Sequence, residues 1–291
     1  MRQAMLLKEM GCELGEGCIW DEKKNRLYFI DINGKKLHCF EPEQNVFSTM
    51  QVSDLIGTIV LHQEGTLLAF ERHSLYQINF DEKKEEFLYR IPFQEGLRFN
   101  DGKCDKFGNV WVGTMGVNQD EPSSNAAGCL YCLEPHFNSK KSTFRIRQCL
   151  TGYTIPNGLA FSSNDKTFYH IDTPKHAING FTVTKQKEIS EKKNLFSIPE
   201  SEGSPDGMTI DCDGNLWIAM WGGSKVVCYN PRTGMKIDEI LVPEKFVTCV
   251  TFGGSDMKTL FITTAKNGQT QGGNLYYVHL EQKGRAAYRL S

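Results

Sequence analysis

Short apolar segments alternate with polar turns along the whole chain. One pattern recurs: an apolar strand, a turn rich in Asp, Asn or Gly, and a second strand that is mostly apolar or aromatic. This pattern predicts β-hairpins. Its six copies are Cys18–Asp31, Ile59–Phe70, Lys103–Val112, Leu159–Asp172, Met208–Ala219 and Val250–Ile262. No segment has a sustained helical period, so we expect little or no α-helix.

The second strands of these hairpins recur at nearly regular intervals. Their equivalent residues are Leu27, Leu67, Val110, Phe168, Leu216 and Leu260, which are 40, 43, 58, 48 and 44 residues apart. Periods of about 40 to 50 residues with several short strands per unit are typical of β-propellers. Further strand-like segments, such as Leu75–Ile78 and Lys225–Tyr229, supply the other strands. We therefore predict an all-β fold, a six-bladed β-propeller with four-stranded antiparallel blades around a central channel.

Each propeller blade buries its faces against its neighbours, so we expect residues 1–291 to form one domain. The segment Met5–Lys8 is expected to complete the last blade and close the ring. The third repeat is the longest, and its additional residues form the polar segment Gly116–Gly128. A segment of this kind between two strands is either a disordered tip or a functional lid.

Composition and charge narrow the range of partners. Lys and Arg total 33 against 35 for Asp and Glu, a formal net charge of -2, so bulk electrostatics favours neither nucleic acid nor an anionic membrane. The apolar run Ile56–Phe70 is interrupted by polar residues and is too short to span a membrane. The first residues lack the features of a signal peptide, and the ten cysteines form no dense disulfide framework. We expect a cytoplasmic protein with mostly buried thiols.

Four of the six repeats carry an oxygen-bearing side chain at the same place, ten or eleven residues before the equivalent positions above. These residues are Glu16, Asn100, Asn157 and Asp206, each followed directly or one residue later by glycine. The innermost strands of a propeller surround its channel, so residues just before them meet at one mouth. Asx-Gly pairs also form ordinary turns. That explanation does not account for their recurrence at one repeat position, so we expect these four side chains to lie together.

Two carboxylates and two carboxamides at a narrow mouth require a compensating charge, because burying like charges together is costly. One divalent metal ion would supply it. Oxygen ligands with two negative charges suit Ca²⁺, Mg²⁺ or Mn²⁺, and carboxylates also bind Zn²⁺. The protein groups do not fill a six-coordinate shell, so water or substrate completes it. Such an open site is what a metal-assisted hydrolase requires.

Several segments share their order and spacing with a known family: Leu14–Trp20, Arg98–Lys103 with Gly113–Met115, Ile155–Gly158, Ser204–Gly207 with Leu216–Trp217, and Thr251–Gly254. In these motifs the chain resembles the regucalcin, gluconolactonase and luciferin-regenerating-enzyme family of six-bladed propellers over nearly its whole length. The resemblance implies a metal-dependent hydrolase that opens a sugar lactone, with the cation polarising the lactone carbonyl. The implied partner is therefore a small-molecule lactone.

The resemblance also implies roles for individual residues. Glu16, Asn157 and Asp206 would bind the metal, and Asp206 would also act as general base. Arg98 and Asn100 would hold the substrate. Related propellers with a Glu-Asn-Asn-Asp calcium site use the corresponding residue as a metal ligand, so both assignments of Asn100 stay open.

The lid segment departs from the family pattern. Family members often have a Glu three residues after the Gly-Thr-Met motif that contacts sugar hydroxyls, and here Asn118 occupies that position. A neutral amide also hydrogen-bonds hydroxyls, so we expect Asn118 to bind the substrate and the lid to set the preferred lactone. In addition, Trp221, which precedes two glycines, is a candidate to reach the mouth.

Two other functions fit the same residues. A non-catalytic calcium-binding propeller would keep the three expected ligands but would require neither Arg98 nor the lid. A phosphotriesterase or another ester hydrolase would work at the same metal site. A comparison of rates on a lactone and a phosphotriester separates the two enzymatic alternatives.

Overall fold

The structure is a computed structural model that describes residues 2–138, 141–184 and 188–290. Within these ranges it contains 25 strands and no α-helix, and no helix long and apolar enough to cross a membrane. Three short 3-10 turns are present, at Pro122–Ser124, Thr173–Lys175 and Glu200–Glu202. The strands form six sheets arranged in a ring, so the predicted six-bladed β-propeller is confirmed.

The chain begins with two short strands that join the last two blades, β1 (Arg2–Gln3) and β2 (Met5–Lys8). The first blade contains β3 (Gly15–Asp21), β4 (Arg26–Asp31), β5 (Lys36–Glu41) and β6 (Val46–Gln51). The second contains β7 (Ile56–Leu61), β8 (Leu67–Glu71), β9 (Ser74–Asn79) and β10 (Lys84–Arg90). The third contains β11 (Leu97–Cys104), β12 (Val110–Gly116), β13 (Gly128–Asn138) and β14 (Lys141–Tyr153).

The remaining blades follow the same order. The fourth contains β15 (Pro156–Phe161), β16 (Thr167–Asp172), β17 (Ala177–Val183) and β18 (Ile189–Ser197). The fifth contains β19 (Ser204–Ile210), β20 (Leu216–Trp221), β21 (Lys225–Asn230) and β22 (Met235–Leu241). The sixth contains β23 (Val247–Gly253), β24 (Thr259–Thr264) and β25 (Leu275–His279). Within each blade, neighbouring strands are antiparallel and consecutive in the chain, as hairpin patterning predicts.

The N-terminal strands close the ring. Strand β2 pairs antiparallel with β25, with Met5 opposite Tyr277, and supplies the fourth strand of the sixth blade. This confirms the predicted closure. The structure adds a feature that the pattern did not predict, because β1 pairs parallel with β22 and gives the fifth blade a fifth strand, with Arg2 opposite Ile240. The N-terminus thus joins two neighbouring blades.

Every innermost strand has a β-bulge at the same level of the channel. The register of pairing shifts after Glu16 in β3, after Phe99 in β11, after Asn157 in β15 and after Pro205 in β19, and β7 and β23 have equivalent shifts. A bulge leaves a residue out of the ladder and redirects its side chain. The expected site residues therefore lie within the innermost strands, at the bulges, and not just before them.

The glycines that follow the site residues allow neighbouring strands to approach closely. At Gly158, φ is +27° and a Cβ would lie 2.7 Å from the carbonyl oxygen of Asp206. At Gly207, a Cβ would lie 2.7 Å from the carbonyl oxygen of Thr248. These contacts join adjacent blades at the channel wall. Close packing around the channel, rather than ordinary turn geometry, thus accounts for glycine at these places.

The C-terminal segment 283–290 closes the channel at the end opposite the bulges. It contacts five blades through the hydrogen bonds Gly284 N to Met257 O, Cys212 N to Lys283 O, Arg285 Nη1 to Ser162 O, Leu290 N to Leu61 O and Arg289 Nη2 to Asp21 Oδ1. Residues 285–288 line an interior chamber of about 80 Å³ together with all six innermost strands. We call this segment the C-terminal strap.

All ten cysteines are free thiols and seven of them are buried, as expected from the sequence.

Two hairpins each contain the same buried hydrogen-bond cluster, in which an Asp accepts from a Trp and an Asn; we call it the Asp bracket. In the third blade, Asp105 Oδ2 accepts hydrogen bonds from Trp111 Nε1 (3.0 Å) and Asn109 Nδ2 (2.9 Å). In the fifth blade, Asp211 accepts the same pair of bonds from Trp217 and Asn215. The Asp-x-x-Gly-Asn turns are thus structural parts of the blades.

Candidate metal and substrate site

The four equivalent polar residues line one cavity at the bulge end of the channel. Its volume is about 400 Å³. The polar residues that line it are Glu16, Arg98, Asn100, Gln119, Asn157, Thr173, Ser204 and Asp206, and the apolar ones are Leu14, Ile32, Met115, Ile155, Pro174 and Trp221. The equivalence of repeat positions therefore predicted a shared location correctly for residues from four blades. Trp221 also reaches the cavity, as considered from the sequence, and its ring lies 4.7 Å from that of Phe246.

A chain of hydrogen bonds joins the two asparagines. Asn100 donates from Nδ2 to Oδ1 of Asn157 (3.0 Å) and to the carbonyl oxygen of Pro156 (2.9 Å). Asn157 in turn donates from Nδ2 to Thr173 Oγ1 (3.0 Å), and the Thr173 hydroxyl donates to the carbonyl oxygen of Pro205 (2.9 Å). Because a carbonyl oxygen only accepts, these bonds fix the orientation of both amides.

Arg98 and Asn100 are neighbours on the same wall. Arg98 Nη1 donates to Asn100 Oδ1 and to the carbonyl oxygen of Phe99, each over 2.8 Å. The guanidinium is buried, and burial lowers the pKa of Arg98 to about 10 against the opposing effect of the Glu16 and Asp206 carboxylates. Since Asn100 Oδ1 accepts from Arg98 and Nδ2 donates to Asn157, Asn100 links the arginine to the amide beside the two acids.

The two acids of the cavity are buried together. Glu16 and Asp206 are 8% and 5% exposed. Burial is the largest cause that raises the pKa of both carboxyl groups. The pKa of Glu16 rises to about 8, with the charge of Asp101 as the second cause. For Asp206, the second cause of the raised pKa is the charge of Glu16. Asp101 faces the interior chamber just below them. Burial also raises the pKa of Asp101, so three buried acids lie close together along the channel.

This donor set fits a divalent cation. Asp206 Oδ1 is buried without a hydrogen-bond partner among the described residues, and an unpaired buried carboxylate oxygen is costly. Among the described residues, this cavity included, no group of three or more His, Cys, Asp or Glu side chains is arranged to hold a metal, so a cation here would need an amide oxygen beside the two acids. A cation would therefore be held by Glu16, Asp206 and an amide oxygen, for which Asn157 Oδ1 is the oriented candidate. All three are oxygen donors, which suit Ca²⁺, Mg²⁺ or Mn²⁺.

The structure places Asn118 outside this cavity. Asn118 is exposed, and its side chain bonds to Glu121 and to the backbone of Asp120 within the lid. Its neighbour Gln119 lines the cavity instead. The substrate contact expected of Asn118 is therefore not supported by its location, because the Asn118 side chain is engaged within the lid and Gln119 is the lid residue at the cavity.

Sequence reasoning assigned no role to three polar residues of the site, Ser204, Thr173 and Gln119. Ser204 lies in the family motif Ser204–Gly207, beside Asp206. Thr173 begins the 3-10 turn Thr173–Lys175, after the second strand of its blade, and has no equivalent at the bulge positions. Gln119 belongs to the lid, which occurs in one blade only. Neither residue belongs to the repeat, so no pattern in the sequence pointed to them.

Known proteins share this chain's sequence and fold. Residues 14–266 match the family described as the SMP-30/Gluconolactonase/LRE-like region. The pentonolactonase of Haloferax volcanii is 32% identical over 259 residues, which cover 88% of this chain and 83% of the relative. Regucalcin of Pongo abelii is 30% identical over 268 residues, which cover 91% of this chain and 87% of that protein.

A solved structure of luciferin-regenerating enzyme has a TM-score of 0.89 and 27% identity, and the superposition covers 99% of each chain. The family match spans most of the chain and includes every site residue discussed above. These findings confirm the resemblance given by the motifs. The chain therefore belongs to the SMP-30/gluconolactonase/LRE-like family.

Proposed function

We propose that this protein is a metal-dependent hydrolase that opens a sugar lactone. The observation that carries the proposal is that one cavity contains both a buried Asp206 oxygen without a hydrogen-bond partner and the Arg98 guanidinium. Relatives in the same family include a pentonolactonase. A site that only stored calcium would have no use for a buried arginine beside its ligands. Arg98 therefore favours catalysis over calcium binding alone.

The bound cation would be held by Glu16, Asn157 and Asp206, and it would supply positive charge that polarises the ester carbonyl. Asp206 has two carboxylate oxygens, so it can hold the cation with one and accept a proton from the attacking water at the other. Addition of water to the carbonyl carbon and cleavage of the ring C–O bond gives the hydroxy acid. The proton accepted by Asp206 is then available for the departing ring oxygen.

Arg98 would orient the substrate. Its guanidinium presents a fixed fork of donors, and one of its nitrogens is already held by Asn100 and the Phe99 carbonyl group. The remaining donors are therefore pre-oriented beside the acids. The apolar side chains of Met115 and Trp221 form part of the wall, where they can pack against the carbon skeleton of a ring and exclude water.

The proposal is tested with wild type, Arg98→Ala and the exposed control Arg232→Ala, each assayed on an aldonolactone and on a phosphotriester. Loss of a charge-assisted hydrogen bond is expected to raise KM for the lactone at least about tenfold in Arg98→Ala, with little change in Arg232→Ala. Faster turnover of the phosphotriester than of the lactone in wild type would favour the rival hydrolase. Tight cation binding without turnover of either substrate would favour a calcium-binding protein.

A further inference from the structure

The lid, residues Gly116–Gly128 between β12 and β13, is folded by its own side chains. Asn118 Oδ1 accepts from the backbone N–H of Asp120 (3.1 Å), and Asn118 Nδ2 donates to Glu121 Oε1 (3.2 Å). Both ends of the Asn118 amide are thus engaged on the solvent side of the lid. An Asn that accepts from the backbone two residues ahead is a standard turn device, so Asn118 shapes the lid.

Two further contacts hold the lid in place. The hydroxyl of Ser124, which is buried, donates to the backbone carbonyl oxygen of Asn118. Asn125 Oδ1 accepts from Thr154 Oγ1 (2.9 Å), and Thr154 directly precedes Ile155, which lines the cavity. The lid is therefore anchored to the fourth blade at the cavity rim.

Gln119 is the lid residue that lines the cavity. Its Nε2 donates to the carbonyl oxygen of Gly116 (2.7 Å). Because that oxygen only accepts, the bond fixes which end of the amide is the nitrogen. No hydrogen-bond partner for Gln119 Oε1 lies in the described ranges, so this oxygen is a free acceptor on an exposed side chain that lines the cavity.

The free groups of Arg98 and Gln119 differ in chemistry. Arg98 offers hydrogen-bond donors, which match the carbonyl and ring oxygens of any lactone. Gln119 offers an acceptor, which matches a donor on the substrate. A lactone ring without substituents has no donor, whereas a sugar lactone has several hydroxyl groups. The acceptor on the lid is thus suited to distinguish the two.

We propose that Gln119 is a specificity-determining residue, whose Oε1 accepts a hydrogen bond from a substrate hydroxyl and so favours hydroxylated lactones. This inference rests on the proposed function and names the residue that selects its substrate class. Asn118 has no part in it, although it occupies the position at which a sugar contact was expected from the sequence.

The test compares wild type, Gln119→Met and Asn118→Ser on two six-membered lactones, glucono-1,5-lactone and δ-valerolactone. Methionine keeps the length of the side chain but removes the acceptor. Serine at 118 keeps an acceptor for the Asp120 N–H but removes the amide. Loss of one hydrogen bond is expected to lower kcat/KM about fivefold to tenfold. In Gln119→Met that loss should affect the hydroxylated lactone only, and Asn118→Ser should change the ratio of the two rates by less than about twofold.

A binding measurement separates this proposal from the proposed function. The probe is 1,5-anhydroglucitol, a ring polyol without an ester, titrated by calorimetry into wild type and Gln119→Met; its Kd should rise about fivefold in the variant. Polyol binding that depends on Gln119, without hydrolysis of any lactone, would overturn the hydrolase but keep Gln119 as the hydroxyl acceptor.

Two results would overturn the Gln119 proposal and leave the hydrolase in place. One is an equal loss on both lactones in Gln119→Met, which would indicate a loosened lid. The other is a selective loss in Asn118→Ser with none in Gln119→Met.

Discussion

Asn100 donates a hydrogen bond from Nδ2 to Oδ1 of Asn157 over 3.0 Å, and this bond joins the arginine side of the cavity to the acidic side. On one side Asn100 accepts from Arg98, and on the other Asn157 is held by Thr173. Four side chains from two neighbouring blades thus form one connected chain. The orientation of the Asn157 amide therefore depends on its hydrogen bonds with Asn100 and Thr173.

Replacement of Thr173 by valine tests the orientation of Asn157. The variant keeps the shape of the side chain but removes the partner of Asn157 Nδ2, so the amide is free to turn. Loss of a partner that orients a metal ligand typically lowers metal affinity about 10- to 100-fold, and we expect a decrease at the lower end for Ca²⁺ or Mn²⁺ measured by calorimetry. The exposed Thr233→Val is the control. Equal affinities in wild type and Thr173→Val would show that Thr173 does not orient the ligand.

Metal affinity should depend on pH in a defined direction. Burial raises the pKa of Glu16 to about 8 and also raises that of Asp206. In the unfolded chain a Glu carboxyl group loses its proton above about pH 4.3. In the metal-free folded protein these two carboxyl groups therefore keep protons that they lose on unfolding. The metal-free protein should therefore lose stability as the pH rises from about 5 to about 8. Over the same range cation affinity should increase, because protons must leave before the cation binds.

Calorimetric titrations at pH 6, 7 and 8 check this dependence, with up to about a tenfold gain in affinity per pH unit for each proton displaced. The control is Glu281→Gln, whose side chain is 90% exposed in wild type and should leave the pH dependence unchanged. A cation affinity that is constant across these pH values would contradict the buried, protonated acids described above.

The C-terminal strap should contribute strongly to stability through Arg289. Its guanidinium bonds to Asp21 Oδ1 over 2.5 Å, and the two side chains are 7% and 2% exposed. Removal of one partner leaves a buried charge unpaired, so Arg289→Met should lower the free energy of unfolding by about 3 to 5 kcal/mol. The matched control Lys258→Met breaks an exposed pair with Glu281 (3.9 Å) and should cost less than about 1 kcal/mol. Urea denaturation of both variants provides the comparison, and equal losses would show that the strap is not held by its buried ion pair.

The Asp brackets of the third and fifth blades should contribute independently. Asp105→Ala and Asp211→Ala each leave a buried indole N–H and a turn N–H without an acceptor, which we expect to cost about 2 to 4 kcal/mol of unfolding free energy. The blades are not adjacent in the ring, so the two costs should add in the double variant. Asp256→Ala, which removes the cap of an exposed turn in the sixth blade, is the control.

Calcium titration of Asp211→Ala checks a second point. The Asp211–Gly214 turn contains two closely spaced acids, Asp211 and Asp213. The Asp211 carboxylate already accepts hydrogen bonds from Asn215 and Trp217. Calcium affinity should therefore equal that of wild type. A large drop in affinity in this variant would mean that the turn, and not the channel cavity, binds the cation.

The shared location of the candidate site was predictable because a propeller converts repeat position into spatial position. Glu16 and Asp206 are separated by most of the chain, yet each occupies the bulge of an innermost strand. Residues outside the repeat do not benefit from this relation. Thr173 and Gln119 lie in a turn and in a lid that occur once, so only the folded chain shows that they reach the cavity.

The same reasoning explains which strands were predictable. The three inner strands of a blade are buried and carry clear apolar patterns. The outermost strand is half exposed, and in Lys84–Arg90 it contains several charged residues, so its pattern is weak. Arg2–Gln3 has only two residues and pairs in parallel with β22; a segment of that length carries no periodicity.

The most direct test is proton release from an aldonolactone by metal-stripped protein, by the same protein refilled with Ca²⁺, Mg²⁺, Mn²⁺ or Zn²⁺, and by Asp206→Ala under identical conditions. Spontaneous hydrolysis is subtracted. The account predicts that hydrolysis stops on stripping, returns with at least one of the cations, and is absent from Asp206→Ala at every metal concentration. Undiminished hydrolysis by the stripped protein or by Asp206→Ala would contradict it.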